Sequence, residues 1–462
     1  MSRLKRLWSV LRGSFWFIPS VIVAVSIALA VALIELDSTG SKPWMARWPR
    51  LFGSGPAGAR GMLSTIAGSM MTVVGVTFSM TLVTLALASS QYTSRILRNF
   101  MRDRVTQLVL GIFAGIFAYC LIVLRTIRGG DEGYFIPSLA VTFGVVLAIG
   151  GIGVLIFFIH HIASSIQAST IIAAVASETM VAVDRLFPEE VGQAPGEDAE
   201  DPSQPSLPER RWQHVPAKGY GYIQSVDHAA LLRVAREHET VVRMECGLGA
   251  FVVKDTALAS IALETPPGEE VFDALQAAYG IDRHRTVEQD AAFGIRQIVD
   301  MALRALSPGV NDTTTAVMCL DYLTAILGRL ASRRIPSSYR FEQEHLRVVT
   351  IGPTFDSLVA ESFDQIRASA TGNVAVLLRM LAAIRTIASL TDRPGRLRVL
   401  VEHVQGIAEV ADRTLDSPRD RAQFEEGLAS VRMALEPESS SIRSRQPGRH
   451  VPERARNGAE HA

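Results

Sequence analysis

Four long apolar stretches occupy the first third of the chain, and beyond them apolar residues recur with a helical period instead. The first stretch runs from Phe15 to Ile34 between Arg12 and Glu35, close to the about 20 residues that cross a bilayer. The others lie within Gly61–Ser94, Val105–Leu124 and Gly133–Ile159. A charge at mid-span costs about 2.5–3.5 kcal/mol. All four have uncharged middles, so all four can insert. Spans are expected at about 15–34, 66–88, 105–124 and 136–159, within a transmembrane domain over 1–161. The basic start and the small Ala28-Leu29-Ala30 also resemble a signal peptide, but the apolar run continues past that point and reads as a span.

Beyond the fourth stretch, Ile162, Ile166, Val175, Ala182 and Leu186 predict that its helix runs on over 162–187 as a juxtamembrane helix. Residues 188–216 are acidic, proline-rich and poor in large apolar side chains, the composition of a disordered linker. Strand signals at 219–223, 241–244 and 247–253, with a helix capped by Asp227 after the first, predict a small β-module over 217–265. Helical periodicity then fills 266–435, and the Ser-, Pro- and Arg-rich residues 436–462 read as a disordered tail.

The most legible stretch is Thr286–Ala316. Thr286 and Gln289 stand at capping-box spacing. Ile295, Ile298, Val299, Ala302, Leu303 and Leu306 then form one apolar stripe. Arg296, Asp300 and Arg304 are four apart, a carboxylate between two guanidinium groups. Ser307-Pro308-Gly309 ends the helix, and Asn311-Asp312 offers caps for a second one that buries Ala316, Leu320, Leu323, Leu327 and Leu330. The pattern predicts a helix–elbow–helix unit. Arg296, Asp300, Arg304, Asn311 and Asp312 are its candidate structural or functional cluster.

Charge refines this layout. With 46 basic and 46 acidic residues the chain offers no whole-protein case for nucleic acid. Most charge lies after Glu178. Arg95, Arg98, Arg102 and Arg104 crowd the second loop, and the amino end carries Arg3, Lys5, Arg6 and Arg12. Although Lys42, Arg47, Arg50 and Arg60 dilute the contrast, the positive-inside rule favours both termini in the cytoplasm, with Trp44 and Trp48 near the outer interface. Cys120, Cys246 and Cys319 are far apart and read as reduced thiols.

Candidate chemistry is sparse. The second stretch is rich in hydroxyls, and Ser69, Thr72, Ser79 and Thr84 form a candidate polar membrane face. Such a face lines a permeation path or packs closely against another helix. Gly111-x-x-x-Gly115, with Ala140, Gly144 and Ala148, fits close packing. No charge lies mid-span, which argues against a charge-coupled transporter of the usual kind. His160 and His161 point about 100° apart on a helix, so they do not chelate one ion together and read as interfacial residues. Gly249-x-Phe251-Val252 resembles half of a biotinyl/lipoyl-type barrel but lacks an attachment lysine, so it reads as a structural module. Gly247-x-Gly249 precedes a strand where a dinucleotide fingerprint needs a helix. No catalytic, cofactor-binding or metal-ligating residue is assigned, and no cofactor is expected.

Together the four spans, FFIHHIASSIQ, GYIQSVD, GAFVV, RTVEQDAAFGIRQIVDMALRALSPGVNDTTTA and FDQIR resemble the DUF2254 family of predicted bacterial membrane proteins, over about residues 10–435. The family pattern has Pro after the Asn-Asp pair, where this chain has Thr313. The resemblance implies a membrane location and this layout, and carries no activity, substrate or catalytic residue.

The fold expected is a multi-pass α-helical membrane domain of four spans plus a cytoplasmic α+β domain with a small β-module and a helical bundle. Its expected partners are the lipid bilayer and further copies of itself; the sequence names no soluble partner. Three functional readings follow. One is a non-enzymatic, oligomeric channel- or transport-like protein with a sensing or regulatory cytoplasmic domain. Another is a membrane-anchored scaffold for a soluble partner. The third is a membrane-associated enzyme using Asp290, Asp300, Asn311, Asp312 and the threonines, and it is the weakest. Each of those residues already serves as a ladder rung, cap or turn, and a carboxylate between two arginines stays ionised, the wrong direction for a general acid.

Overall fold

Long uncharged sequence produces long helices in the computed structural model, which describes residues 16–39, 55–91, 103–129, 135–187, 211–342 and 345–435. The amino-terminal part contains the long apolar helices α1 (Phe17–Ser38), α2 (Pro56–Gln91), α3 (Arg104–Thr126) and α4 (Ser138–Ser165). The second helix begins ten residues before the expected span, because Pro56 sits at its first position, where a missing N–H is harmless. α3 lies innermost. Its Phe113, Ile116, Tyr119 and Val123 meet Leu63, Ala67 and Met70 of α2 and Ala140, Val141 and Phe158 of α4.

The Gly111/Gly115 pair faces α1. A Cβ at Gly111 would stand 2.7 Å from Ile22 Cδ1, and one at Gly115 2.5 Å from Ser26 Oγ. These glycines let two backbones approach, the packing expected of small residues in a bilayer.

Side chains from distant helices satisfy the helix ends. Asp37, near the end of α1, accepts from the N–H groups of Leu139 (2.9 Å) and Ala140 (3.2 Å). It caps α4, whose N-cap position is Pro137 with no side-chain acceptor. Arg60 donates to the Ile127 carbonyl at 2.7 Å, just past α3. Tyr119 donates to the Ala140 carbonyl at 2.7 Å.

The expected single helix through 162–187 is two helices. Ile166 and Gln167 interrupt it, Gln167 adopting an extended backbone (ψ 133°), before α5 (Ala168–Leu186). Ser165 Oγ donates to the His161 carbonyl at 2.7 Å, the back-bonding by which hydroxyls compete with a helix ladder.

The remaining chain forms two packed units. In the first, β1 (Trp212–Pro216), β2 (Gly221–Val226), α6 (His228–Glu237), β3 (Val242–Met244), β4 (Phe251–Val252), β5 (Ala257–Ala262), α7 (Glu269–Ala277) and β6 (Tyr279–Asp282) follow in order. The bundle then supplies α8 (Ala291–Ala305) and α9 (Thr313–Ala331) before β7 (Tyr339–Glu342) and β8 (His345–Val349) return to the sheet. One sheet has the order β1-β5-β3-β8-β7, antiparallel except between β3 and β8, and the other β4-β2-β6. Val215, Ile223, Leu231, Met244, Ile261, Leu275 and Val348 share its core.

The β-module is therefore wider than 217–265. Trp212–Pro216, expected at the end of the linker, is a strand because Trp212 to Pro216 pair along β5. Strands β6, β7 and β8, expected within the helical domain, are only four or five residues long; β7 alternates as Tyr-Arg-Phe-Glu, but over too few residues to stand out from the helical pattern around it. Residues 188–210 of the linker, the tail from 436, the amino end and most of the first two loops lie outside the described residues.

The second unit is the bundle: α5, α8, α9, α10 (Phe355–Ser369), α11 (Val374–Ala388), α12 (Pro394–Thr414) and α13 (Pro418–Leu435). One core joins Ile172, Ile298, Leu323, Phe363, Ile384 and Ile407. Among the described residues five helices have the length and composition to cross a membrane: α1 to α4 and α9. α9 is the least apolar of the five and lies inside the bundle, with Ala316, Leu320, Leu323, Leu327 and Leu330 all buried.

Candidate functional site

The elbow between α8 and α9 holds the five candidate residues. α8 starts later than expected. Its cap is Asp290, whose carboxylate accepts from the Phe293 N–H at 3.1 Å, so Thr286 and Gln289 form no capping box there. Asp290 is buried and also receives Arg285 at 2.7 Å. Asp300 pairs with Arg296 at 3.1 Å, and Arg296 reaches Glu361 of α10 at 3.2 Å. Arg304 lies one turn on, exposed.

Past Ser307-Pro308-Gly309 the chain reverses. Asn311 takes a left-handed backbone (φ 48°), a conformation in which Asn is several-fold enriched. Asp312 caps α9, accepting from the Thr315 N–H (3.0 Å) and hydroxyl (2.6 Å). These bonds hold its carboxyl below the ordinary carboxylate range. Asn311 and Asp312 are exposed at the tip of the elbow, while Asp300 and Arg296 are half-buried on the helix.

The candidate polar membrane face divides. Ser69, Thr72 and Ser79 are exposed on α2, but Thr84 is 4% exposed and turns inward with Thr77. The threonines are satisfied within their own helix: Thr65, Thr72, Thr77, Thr81 and Thr84 donate to carbonyls three or four residues back. Gly61, Thr65, Gly68, Thr72, Gly75 and Ser79 alternate steps of four and three along the outer side, the spacing of a left-handed helix seam. A Cβ at Gly61, Gly68 or Gly75 would meet nothing within 4 Å.

Two polar groupings escape sequence reasoning because their members are far apart. Asp103, the cap of α3, accepts from Val105 N (3.0 Å), Thr106 N (3.2 Å) and Thr106 Oγ1 (2.6 Å), and lies 2.9 Å from His161 Nε2 on α4. On the large sheet, the Ser260 hydroxyl lies 2.8 Å from His214 Nδ1 and donates to Glu245 Oε1 at 2.5 Å. Arg243 holds the same oxygen at 2.7 Å and covers the Trp212 ring. Ser260 is wholly buried, so its hydroxyl is a strut between strands and not an accessible nucleophile. Among the described residues no three His, Cys, Asp or Glu side chains converge as a metal site.

The helix that follows α4, α5, is built into the bundle. Ile171, Ile172, Val175, Val183 and Phe187 belong to its core. Thr179 crosses α8 at Gly294, where a Cβ would stand 2.1 Å from Thr179 Oγ1. Asp184 receives Arg329 (2.7 Å) and buried Arg333 (2.8 Å), and Arg333 also donates to the Phe187 carbonyl at 2.9 Å.

The family model described as a predicted membrane protein, DUF2254, matches residues 12–386. Uncharacterised proteins of Mycobacterium bovis and Mycobacterium tuberculosis are each 32% identical over 430 residues, covering 91% of this chain and 81% of theirs. No solved structure matches the chain. With membrane-length helices at its start and the family's pattern over most of its length, the chain belongs to the DUF2254 family of predicted membrane proteins.

Proposed function

We propose that this is a four-span inner-membrane protein with both termini in the cytoplasm. In this reading it self-associates in the bilayer as a channel- or transport-like assembly, regulated by its cytoplasmic α+β domain. The observation that carries the reading is α5: it starts two residues after α4 ends, and its apolar face is part of the bundle core. A rearrangement of the bundle therefore acts directly on the last span. The burial of α9 inside the bundle and the pairing of its Arg329 with Asp184 support counting four spans and not five. The seam of glycines and hydroxyl residues on α2, open on its outer side, supports self-association, since small residues let helices approach closely in lipid.

Protein purified in mild detergent and reconstituted in liposomes tests the reading. Native mass spectrometry is expected to give a defined oligomer, and the liposomes a solute or ion flux under voltage or tension. A monomer with no flux under either stimulus overturns it.

A second reading, a scaffold for a soluble partner, is supported by one exposed cluster on the β-module. Tyr220 (73% exposed), Phe251 (55%) and Val253 (54%) lie together where β2 pairs with β4. A pull-down that returns only the protein itself counts against that reading.

A further inference from the structure

The joint between membrane and bundle carries an ionisable pair at its edge. His161 stands one turn before α4 ends at Ser165, and the chain breaks at Ile166–Gln167 before α5 enters the bundle. Its Nε2 lies 2.9 Å from Asp103 Oδ2, with both side chains 25% exposed. The ring is stacked on Phe157, and the Ser165 hydroxyl lies 3.5 Å from Nε2. These contacts fix the ring's place.

Asp103 is itself fixed, because its two oxygens cap α3 through Val105 and Thr106. The pair thus ties the last turn of α4 to the first turn of α3, beside the break that sets the direction of α5. Among the described residues the other charged or titratable groups near by sequence are Arg104 beside Asp103 and His160 beside His161. α5 brings none before Glu178, while Glu35 and Asp37 of α1 and Arg60 of α2 lie at the opposite ends of their spans.

We propose that the Asp103–His161 pair is a pH-responsive latch on the α4–α5 joint, closed when the imidazole is protonated and loosened when it is neutral. The inference rests on the reading that α5 couples the two domains. Histidine is the side chain whose ordinary pKa, about 6.5, places its charge change between about pH 5 and 8. Asp103 stays ionised over that range. Burial opposes its charge, but hydrogen bonds from Thr106, His161 and the Val105 N–H outweigh burial and hold the carboxyl below its ordinary value. With the imidazole protonated, the pair is an imidazolium–carboxylate ion pair. With it neutral, one N–H···O bond remains, and the hold on α4 weakens. The latch is therefore tight in acid and slack in base.

Hydrogen–deuterium exchange on the full chain in lipid nanodiscs tests this, with labelling times scaled for the intrinsic pH dependence of exchange. Wild type is expected to lose protection over residues 159–170 as pH rises from about 5.5 to 8, by up to about fivefold, the size a partly exposed ion pair supports. His161→Gln, which keeps a neutral donor, and Asp103→Asn, which keeps a good cap, are both expected to abolish the dependence while bundle protection stays unchanged. His160→Gln is expected to retain it. Equal protection of wild type at both pH values overturns the latch, as does a full dependence persisting in His161→Gln. The readout needs no flux, so the latch and the transport reading fail separately. A latch without flux leaves the joint pH-responsive and sinks only the channel.

Discussion

Asp312 shows how a residue in a conspicuous motif can be wholly occupied by structure. Thr315 donates twice to its carboxylate, by hydroxyl and by N–H, and the carboxyl titrates below its ordinary value for that reason, with burial opposing only weakly. A carboxyl with a folded pKa below its unfolded one stabilises fully above the unfolded value, about 3.9, and loses that contribution as pH falls through the folded value. Asp312→Ala is expected to remove about 1 kcal/mol at neutral pH. The gap to wild type, read from thermal unfolding, should narrow as pH falls below about 4 and through the folded value. Asp300 is placed similarly, 3.1 Å from Arg296 on a half-buried helix face. Asp300→Ala is expected to lower folded yield and unfolding temperature before any activity changes. A fully stable Asp300→Ala protein that has lost flux would instead give this carboxylate a chemical role.

At the scale of elements, the crossing of α5 over α8 is a tightly packed contact within the bundle. Gly294→Ala would place a methyl group 2.1 Å from Thr179 Oγ1, and overpacking of this kind costs about 1–3 kcal/mol. Thermal unfolding of Gly294→Ala, Thr179→Ala and the double variant checks the contact; the double variant is expected to recover part of the loss, and strict additivity would show that the residues do not meet. What sequence reveals also sorts by element. The membrane helices and the bundle stripes are legible because their signal is local: Ile295, Ile298, Val299 and Ala302 recur at helical spacing and are all buried. The strands are not, because β3 has three residues and β4 two, and their order depends on partners such as Val242 with Val348, over a hundred residues away. The cap of α8 was misplaced for a related reason. Thr286 and Asp290 both precede the apolar stripe, and the contact between Arg285 and Asp290 favours the later start. Among the candidate residues, the cluster on the elbow could be read from spacing, whereas Asp103 and His161 are 58 residues apart and only the folded chain brings them together.

For the whole molecule, the open seam on α2 makes oligomeric state the decisive property. Gly68→Leu and Gly75→Leu would each fill a groove that is empty within one chain. Both are expected to leave the monomer's fold intact while shifting native mass spectra toward monomer; an unchanged oligomer would move the interface elsewhere on the spans. Each seam threonine already satisfies its hydroxyl on its own helix, so association there depends on close backbone approach more than on new hydrogen bonds. Asp37 binds the start of α4 to the end of α1, and at the other end of α4 His161 binds it to the start of α3. α4 is thus clamped at both ends by different neighbours, and α1 in turn lies against α3 through Gly111 and Gly115. In the proposed reading, a pull arriving through α5 draws on a closed loop of α4, α1 and α3 and not on one helix, so these helices would answer the bundle as a rigid frame answers a handle.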